Sequence, residues 1–223
     1  MQILVIGFQR SGTTLLRRMI HIHPQVKRVF HEHFLVSKFR NDKKQLLNYI
    51  SNKRTNNKKD NWGEKVPFYG KIKGGLHPFT YCQKWTELFP ESKIIHIVRH
   101  PIDVGLSTVN KYPNINDINI PLKKYNKLMT SLIGDIDKLD NALTIKYEDL
   151  LLNTDETINK IFKFCGLKED IEIQTLMSGL KRVKYQKINE SRAFNYKKQK
   201  NMGIKVKSEK VIEELNKIEG IKY

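Results

Sequence analysis

The sequence predicts an α/β fold, a single domain with a parallel β-sheet flanked by helices, and three segments carry that expectation. The first is Ile3-Leu4-Val5-Ile6, an unbroken apolar run read as a buried parallel strand, with apolar positions Leu15, Leu16, Met19 and Ile20 following at helical spacing. The second is Lys93-Ile94-Ile95-His96-Ile97-Val98, a strand with Pro101 near the first position of the next helix. The third is residues 143–147, followed by a helix carrying Ile158, Ile161, Phe162 and Cys165 and closed by Gly166. Strand–loop–helix units of this kind recur in sheets covered by helices.

The remaining elements follow in order. Residues 79–89 read as a helix stopped by Pro90. Leu122, Tyr125, Leu128, Met129, Leu132, Ile133, Ile136 and Leu139 make the best amphipathic helix of the chain. Asn153 and Glu156 suit an N-terminal capping box. Residues 52–61 and 114–119 read as polar loops, and 208–218 as a closing helix.

A length of 223 residues fits one domain spanning 1–223. Hydrophobic residues at 39% are ordinary for a globular protein, but 41 Lys+Arg against 23 Asp+Glu leave a net charge of +18. That charge favours polyanionic partners, although a chain this rich in Lys, Asn and Ile also becomes basic by composition alone. Cys82 and Cys165 form no metal or disulfide pattern and read as core thiols. With no basic leader and no long apolar segment, a cytoplasmic location without a membrane span is the expectation. Nothing in the sequence speaks to oligomeric state.

The loop between the first strand and helix, Gly7-Phe8-Gln9-Arg10-Ser11-Gly12-Thr13-Thr14, has the GxxxxG frame of a phosphate-binding loop. A triphosphatase would carry lysine after Gly12; here Thr13 stands there, and Arg10 is the nearest replacement cation. Arg99 ends the second strand, and Ser107 lies two helical turns on; together they can bind a phosphate. In an open α/β sheet both loops belong at one edge, outside the carboxyl ends of the strands.

These residues resemble the sulfotransferases that use 3′-phosphoadenosine 5′-phosphosulfate (PAPS). Arg10-Ser11-Gly12-Thr13-Thr14-Leu15 is similar to their 5′-phosphosulfate loop, and Arg99 with Ser107 to their 3′-phosphate motif. Residues 88–101, Tyr147-Glu148-Asp149-Leu150, residues 161–167 and the lysine-proline turn Gly63-Glu64-Lys65-Val66-Pro67 also resemble family segments. The match spans 3–167; residues 181–223 are basic and poorly matched, with Lys197-Lys198-Gln199-Lys200 and Asn201-Met202-Gly203 only loose stand-ins for the family's C-terminal nucleotide motif.

The resemblance implies a P-loop-NTPase-like sulfotransferase fold and transfer of a sulfuryl group from PAPS to an acceptor hydroxyl. It leaves adenosine 3′,5′-bisphosphate (PAP) as product and needs no metal. Arg10 would stabilise the leaving phosphate, and the N–H groups of Ser11, Gly12, Thr13 and Thr14, with the threonine hydroxyls, would hold the 5′-phosphate. Arg99 and Ser107 would bind the 3′-phosphate, Tyr147 would lie near the adenine, and Lys65 near the sulfonate. Two carboxylates compete as base, Glu32 in Phe30-His31-Glu32-His33-Phe34 and Glu64 beside Lys65; Glu32 is preferred.

His21, His23, His31 and His33 invite a metal reading, with His31 and His33 on one strand face, but no cysteine joins them. The alternatives are a P-loop kinase, which the missing lysine disfavours, and an inactive nucleotide-binding relative. A nucleic-acid module lacks any recognisable motif. The acceptor loops are expected in 34–59, 68–80, 110–121 and the C-terminal part, whose polar, basic and aromatic residues suit a carbohydrate or other anionic acceptor.

Overall fold

The computed structural model describes residues 1–39, 42–53, 61–169 and 192–198, together with 213 and 216. Five parallel strands lie in the order β2-β3-β1-β4-β5. They are β1 (Gln2–Phe8), β2 (Val26–His31), β3 (Asn61–Phe68), β4 (Lys93–Val98) and β5 (Ala142–Lys146). The helices are α1 (Thr13–His21), α2 (Leu35–Phe39), α3 (Lys43–Lys53), α4 (Pro78–Leu88), α5 (Pro101–Lys111), α6 (Asn119–Asp137), α7 (Tyr147–Leu152) and α8 (Thr154–Phe164), with a 3-10 turn at Asn195–Lys198.

Side-chain alternation divides the core in two. Leu4, Ile6, Phe8, Trp62, Val66 and Val98 face a layer that includes Tyr81, Trp85, Met129 and Ile133. Ile3, Val5, Ile95, Ile97 and Ile145 face Leu16, Ile20, Leu150, Ile161 and Phe162 on the other side. Both cysteines are buried, and burial pushes each thiol up to about 12.

The three strands expected from the sequence are present, the third ending at Lys146 so that Tyr147 opens α7. Four local expectations are corrected. The Gly63–Pro67 stretch is no turn but most of β3, wedged between β1 and β2. Pro67 is tolerated there because alternate residues share an edge: the Lys65 carbonyl accepts from Glu32 on the β2 side, so the missing N–H of Pro67 faces the same side, beyond the last β2 residue. Gly63 is needed because a Cβ would lie 2.2 Å from the Ile3 carbonyl oxygen.

The capping box at Asn153 does not form; its side chain makes no cap hydrogen bond, and the tight α7–α8 junction is bridged instead by the Thr154 hydroxyl donating to the Leu150 carbonyl at 2.9 Å. At the other end Gly166, at φ +59°, closes α8: its N–H donates to Lys163 and that of Leu167 to Phe162. His31 and His33 do not share a strand face, since β2 ends at His31 and the chain then turns. Asn119 belongs to α6 and Asn61 to β3 rather than to the polar loops expected around them. Residues 54–60 of the first loop lie outside the described residues, and of the expected closing helix only Glu213 and Asn216 are described, both helical.

Candidate active site

The site grows from the carboxyl ends of neighbouring strands. After β1 the chain makes a tight turn in which Arg10 adopts φ +71° and Gly12 φ +97°. Gly12 permits that conformation and a close approach: a Cβ there would lie 2.3 Å from Cδ2 of Tyr147. Ser11, fully buried, donates its N–H to the Phe8 carbonyl at 3.1 Å, so this amide closes the turn and is not offered to an anion as expected. The amides of Thr13 and Thr14 open α1, where no carbonyl of the helix itself can accept from them.

Arg99 follows β4 and joins the two loops. Its Nη1 donates to the Arg10 carbonyl at 3.2 Å, and its Nη2 to the Arg192 carbonyl at 3.1 Å. The guanidinium stands 4.3 Å from the centroid of the Tyr147 ring and 3.9 Å from Asp103 Oδ2. Tyr125, from α6, donates to the Arg99 carbonyl at 2.8 Å, while the buried Glu148 accepts the next N–H, that of His100, at 3.0 Å. Arg10 Nε in turn donates to Ser107 Oγ at 3.1 Å. Ser107 reaches it because nearly two whole turns of α5 bring the serine back to the helix face on which α5 begins.

Arg10, Arg99, Ser107 and Tyr147 therefore form one cluster with Gly12, Thr13 and Thr14. Desolvation of the Arg10 guanidinium lowers its pKa, Tyr112 and Tyr147 oppose this, and the charges of Arg99 and Arg192 lower it further. Three arginines thus share one electropositive corner. No motif pointed to the third partner. The 192–198 segment packs here through Arg192, through buried Ala193 and through the Asn195 N–H donating to Asp103 Oδ2 at 3.1 Å.

A second cluster lies on the other side of β1. Lys65, only 1% exposed, points from β3 towards α1; its Nζ donates to Glu32 Oε1 at 2.5 Å and lies 3.4 Å from Thr14 Oγ1. Burial lowers the Lys65 pKa, and the Glu32 carboxylate works against that shift. Glu32 itself is partly exposed, with His31 Nε2 3.8 Å from its carboxylate. Thr14 connects this cluster to the arginine loop.

Glu64 does not join either cluster. As the neighbour of Lys65 on a strand it faces the opposite side of the sheet, fully buried, where its carboxylate accepts from Leu35 N at 3.2 and 3.1 Å and from Tyr81 OH at 3.0 Å. Burial raises its pKa to about 7. The histidines are dispersed as well. His21 accepts from Val29 N, His23 contacts the Lys168 carbonyl, and His33 the Tyr49 hydroxyl, and no group of three or more metal-ligating side chains occurs among the described residues.

Residues 1–217 match the family model of the sulfotransferase domain. The chain belongs to the sulfotransferase domain family. Its fold agrees: the sulfotransferase domain from the curacin biosynthetic pathway superposes with a TM-score of 0.70 at 18% identity, covering 96% of each chain. The sulfotransferase domain of the Synechococcus PCC 7002 olefin synthase gives 0.65 at 18% identity, over 95% of this chain and 92% of the other. A sulfotransferase from Alicyclobacillus acidocaldarius gives 0.58 at 15% identity, over 81% and 90%. No curated sequence matches. This sulfotransferase is thus an enzyme of a family that draws on PAPS, built on a five-stranded parallel sheet. Among the described residues, no helix is long and apolar enough to cross a membrane.

Proposed function

We propose that this enzyme moves the sulfuryl group of PAPS to an acceptor hydroxyl, on a carbohydrate or another anionic acceptor, and that one domain spanning 1–223 does so. The observation that carries the reading is the bonded chain Arg192–Arg99–Arg10–Ser107 at the ends of β1 and β4. Three guanidinium groups in one corner suit a ligand with two separate phosphates better than a single phosphate. Ser107 accepts from Arg10 and so keeps its own O–H to donate to a 3′-phosphate beside Arg99. Arg99 Nε is buried with no protein acceptor among the described residues, a further donor on that side. Tyr147, stacked between Gly12 and Arg99, offers its ring edge to the nucleoside.

The chemistry needs in-line positioning and charge stabilisation. The amides of Gly12, Thr13 and Thr14, with the threonine hydroxyls, hold the 5′-phosphate, and Arg10 meets the charge that grows on it as its bond to sulfur breaks. Lys65 neutralises the sulfonate oxygens. On the other side of β1, Glu32 takes the proton of the acceptor hydroxyl as the new oxygen–sulfur bond forms, with Lys65 fixing its carboxylate.

Thermal unfolding with three nucleotides tests the donor reading. PAP should stabilise the protein strongly, adenosine 5′-phosphate and ATP weakly. Equal shifts for all three would remove the 3′-phosphate assignment. Labelled PAPS mixed with an extract of the source cells should transfer label to a hydroxyl-bearing product; label found only in inorganic sulfate would remove the acceptor reading.

A further inference from the structure

We propose that Glu64 is a positioning residue of the transfer site, holding from the far face of the sheet the turn that presents Glu32. The proposal rests on Glu32 as the base. Glu32 and Phe34 sit at φ +57° and +52°, a conformation that side chains other than glycine rarely adopt. Something must hold the chain there, and β3 supplies it with two consecutive residues.

From one face Lys65 grips Glu32 twice, its carbonyl accepting the Glu32 N–H at 3.0 Å and its Nζ donating to the carboxylate. From the other face Glu64 gathers the amides that follow. Both its oxygens accept from Leu35, and the amides of Phe34 and His33 stand near enough to favour its charged form. Tyr81 completes the set, donating to Glu64 Oε2 at 3.0 Å while accepting the Val36 N–H at 3.3 Å. Two successive amides, those of Leu35 and Val36, are thereby bonded to one buried carboxylate and its tyrosine, and the two before them face the same carboxylate.

Successive N–H groups converging on an anion form the concave nest that alternating left-handed residues create. Here the acceptor at the centre is a side chain of the protein itself. Its backbone partners belong to the segment that follows Glu32, Tyr81 comes from α4 and none belongs to the donor loops, so its loss should disturb the base and spare nucleotide binding. Glutamine keeps the size of Glu64 but presents an NH2 to amides that need an acceptor, which should release the turn.

The test is a double-mutant cycle on turnover, using sulfur-labelled PAPS and a desalted extract of the source cells as acceptor. Glu64→Gln should lower kcat about 10- to 100-fold, the scale of a misplaced reacting group, with donor KM and the PAP-induced thermal shift unchanged. In a Glu32→Gln background it should lower kcat little further, because its route of action is already gone. In an Arg10→Ala background its effect should persist in full.

Equal losses in the wild-type and Glu32→Gln backgrounds, or an unchanged kcat, would overturn the proposal while leaving Glu32 as base. Near-normal turnover of Glu32→Gln itself would overturn the base reading and this proposal with it. Should Glu64→Gln not fold, Tyr81→Phe enters the same cycle. It removes a hydroxyl from the network and keeps the ring, with a smaller loss expected in the same pattern and additivity again counting against the idea.

Discussion

Arg99 Nη1 donates to the main-chain carbonyl of Arg10, so a residue after β4 fixes the backbone of the loop after β1. The bond makes Arg99 more than a cation for a ligand. Its planar fork spans carbonyls of two otherwise separate segments, that of Arg10 and that of Arg192. A lysine ammonium, a point charge on a flexible stem, lacks that preorganised fork.

Arg99→Lys should therefore behave much like Arg99→Ala in nucleotide binding. At free PAP about a hundredfold above the dissociation constant, binding should stabilise the native protein by roughly 2.7 kcal/mol. Both variants should lose most of that gain, and lose more of it for PAP than for adenosine 5′-phosphate. A lysine variant with the wild-type shift would show that charge alone matters at this position.

Arg10→Ala should cut turnover more than donor affinity. Losing one electrostatic contact to a developing charge costs on the order of 10² to 10³ in rate. Steady-state kinetics against the donor decide the matter: a raised KM with unchanged kcat would reduce Arg10 to a simple phosphate ligand.

Glu32→Gln should leave the PAP-induced thermal shift intact and lower kcat by roughly 10² to 10⁴, the contribution of a positioned base. Full turnover in this variant would move proton transfer to another group of the turn, with His31, 3.8 Å from the Glu32 carboxylate, the first to be examined.

His96 gives a pH prediction independent of catalysis. It is fully buried in β4, with Nδ1 3.3 Å from the Thr144 hydroxyl and Nε2 without a partner among the described residues. Burial pushes it down to about 3. A folded pKa below the unfolded value of about 6.5 means that the unfolded chain binds the proton first. The contribution of His96 to stability is complete above pH 6.5 and is lost as pH falls towards 3. Relative to wild type, His96→Val should gain up to about 1.4 kcal/mol per pH unit of acidification below 6.5. Parallel stability curves between pH 7.5 and 5 would contradict this.

Legibility in the sequence followed the chemistry of each strand. β1 and β4 are apolar on both faces because helices cover both, and such runs are plain to read. β3 reads Asn-Trp-Gly-Glu-Lys-Val-Pro-Phe, with a glycine, a proline and two charged residues, so it looks like a turn although its middle is buried. Its two charges are buried and partnered, Lys65 with Glu32 and Glu64 with Leu35 and Tyr81, which is why local propensity misjudges them. β2 is an edge strand with exposed Arg28 and His31, and its alternation is correspondingly broken. Helical spacing put Ser107 with Arg99 in the sequence, whereas its hydrogen bond from Arg10 had no such signal. The contribution of Arg192 was not readable either, since Arg99 binds its backbone carbonyl and a carbonyl leaves no mark in residue identity.

The strand order has a consequence for how such an enzyme could change its substrate. β1 is the middle strand, and the two side chains proposed for proton transfer and the sulfonate, Glu32 and Lys65, come from strands on one flank of it, while Arg99, Ser107 and Tyr147 come from the other. The two halves are also contiguous in sequence, the first complete by residue 68 and the second beginning at residue 93. Recombination with a breakpoint near residue 90 would exchange Glu32, Lys65 and the acceptor loops expected in 34–59 and 68–80 while leaving Arg99, Ser107 and Tyr147 in place. Only Arg10 and the first turn of α1 would have to suit both parents.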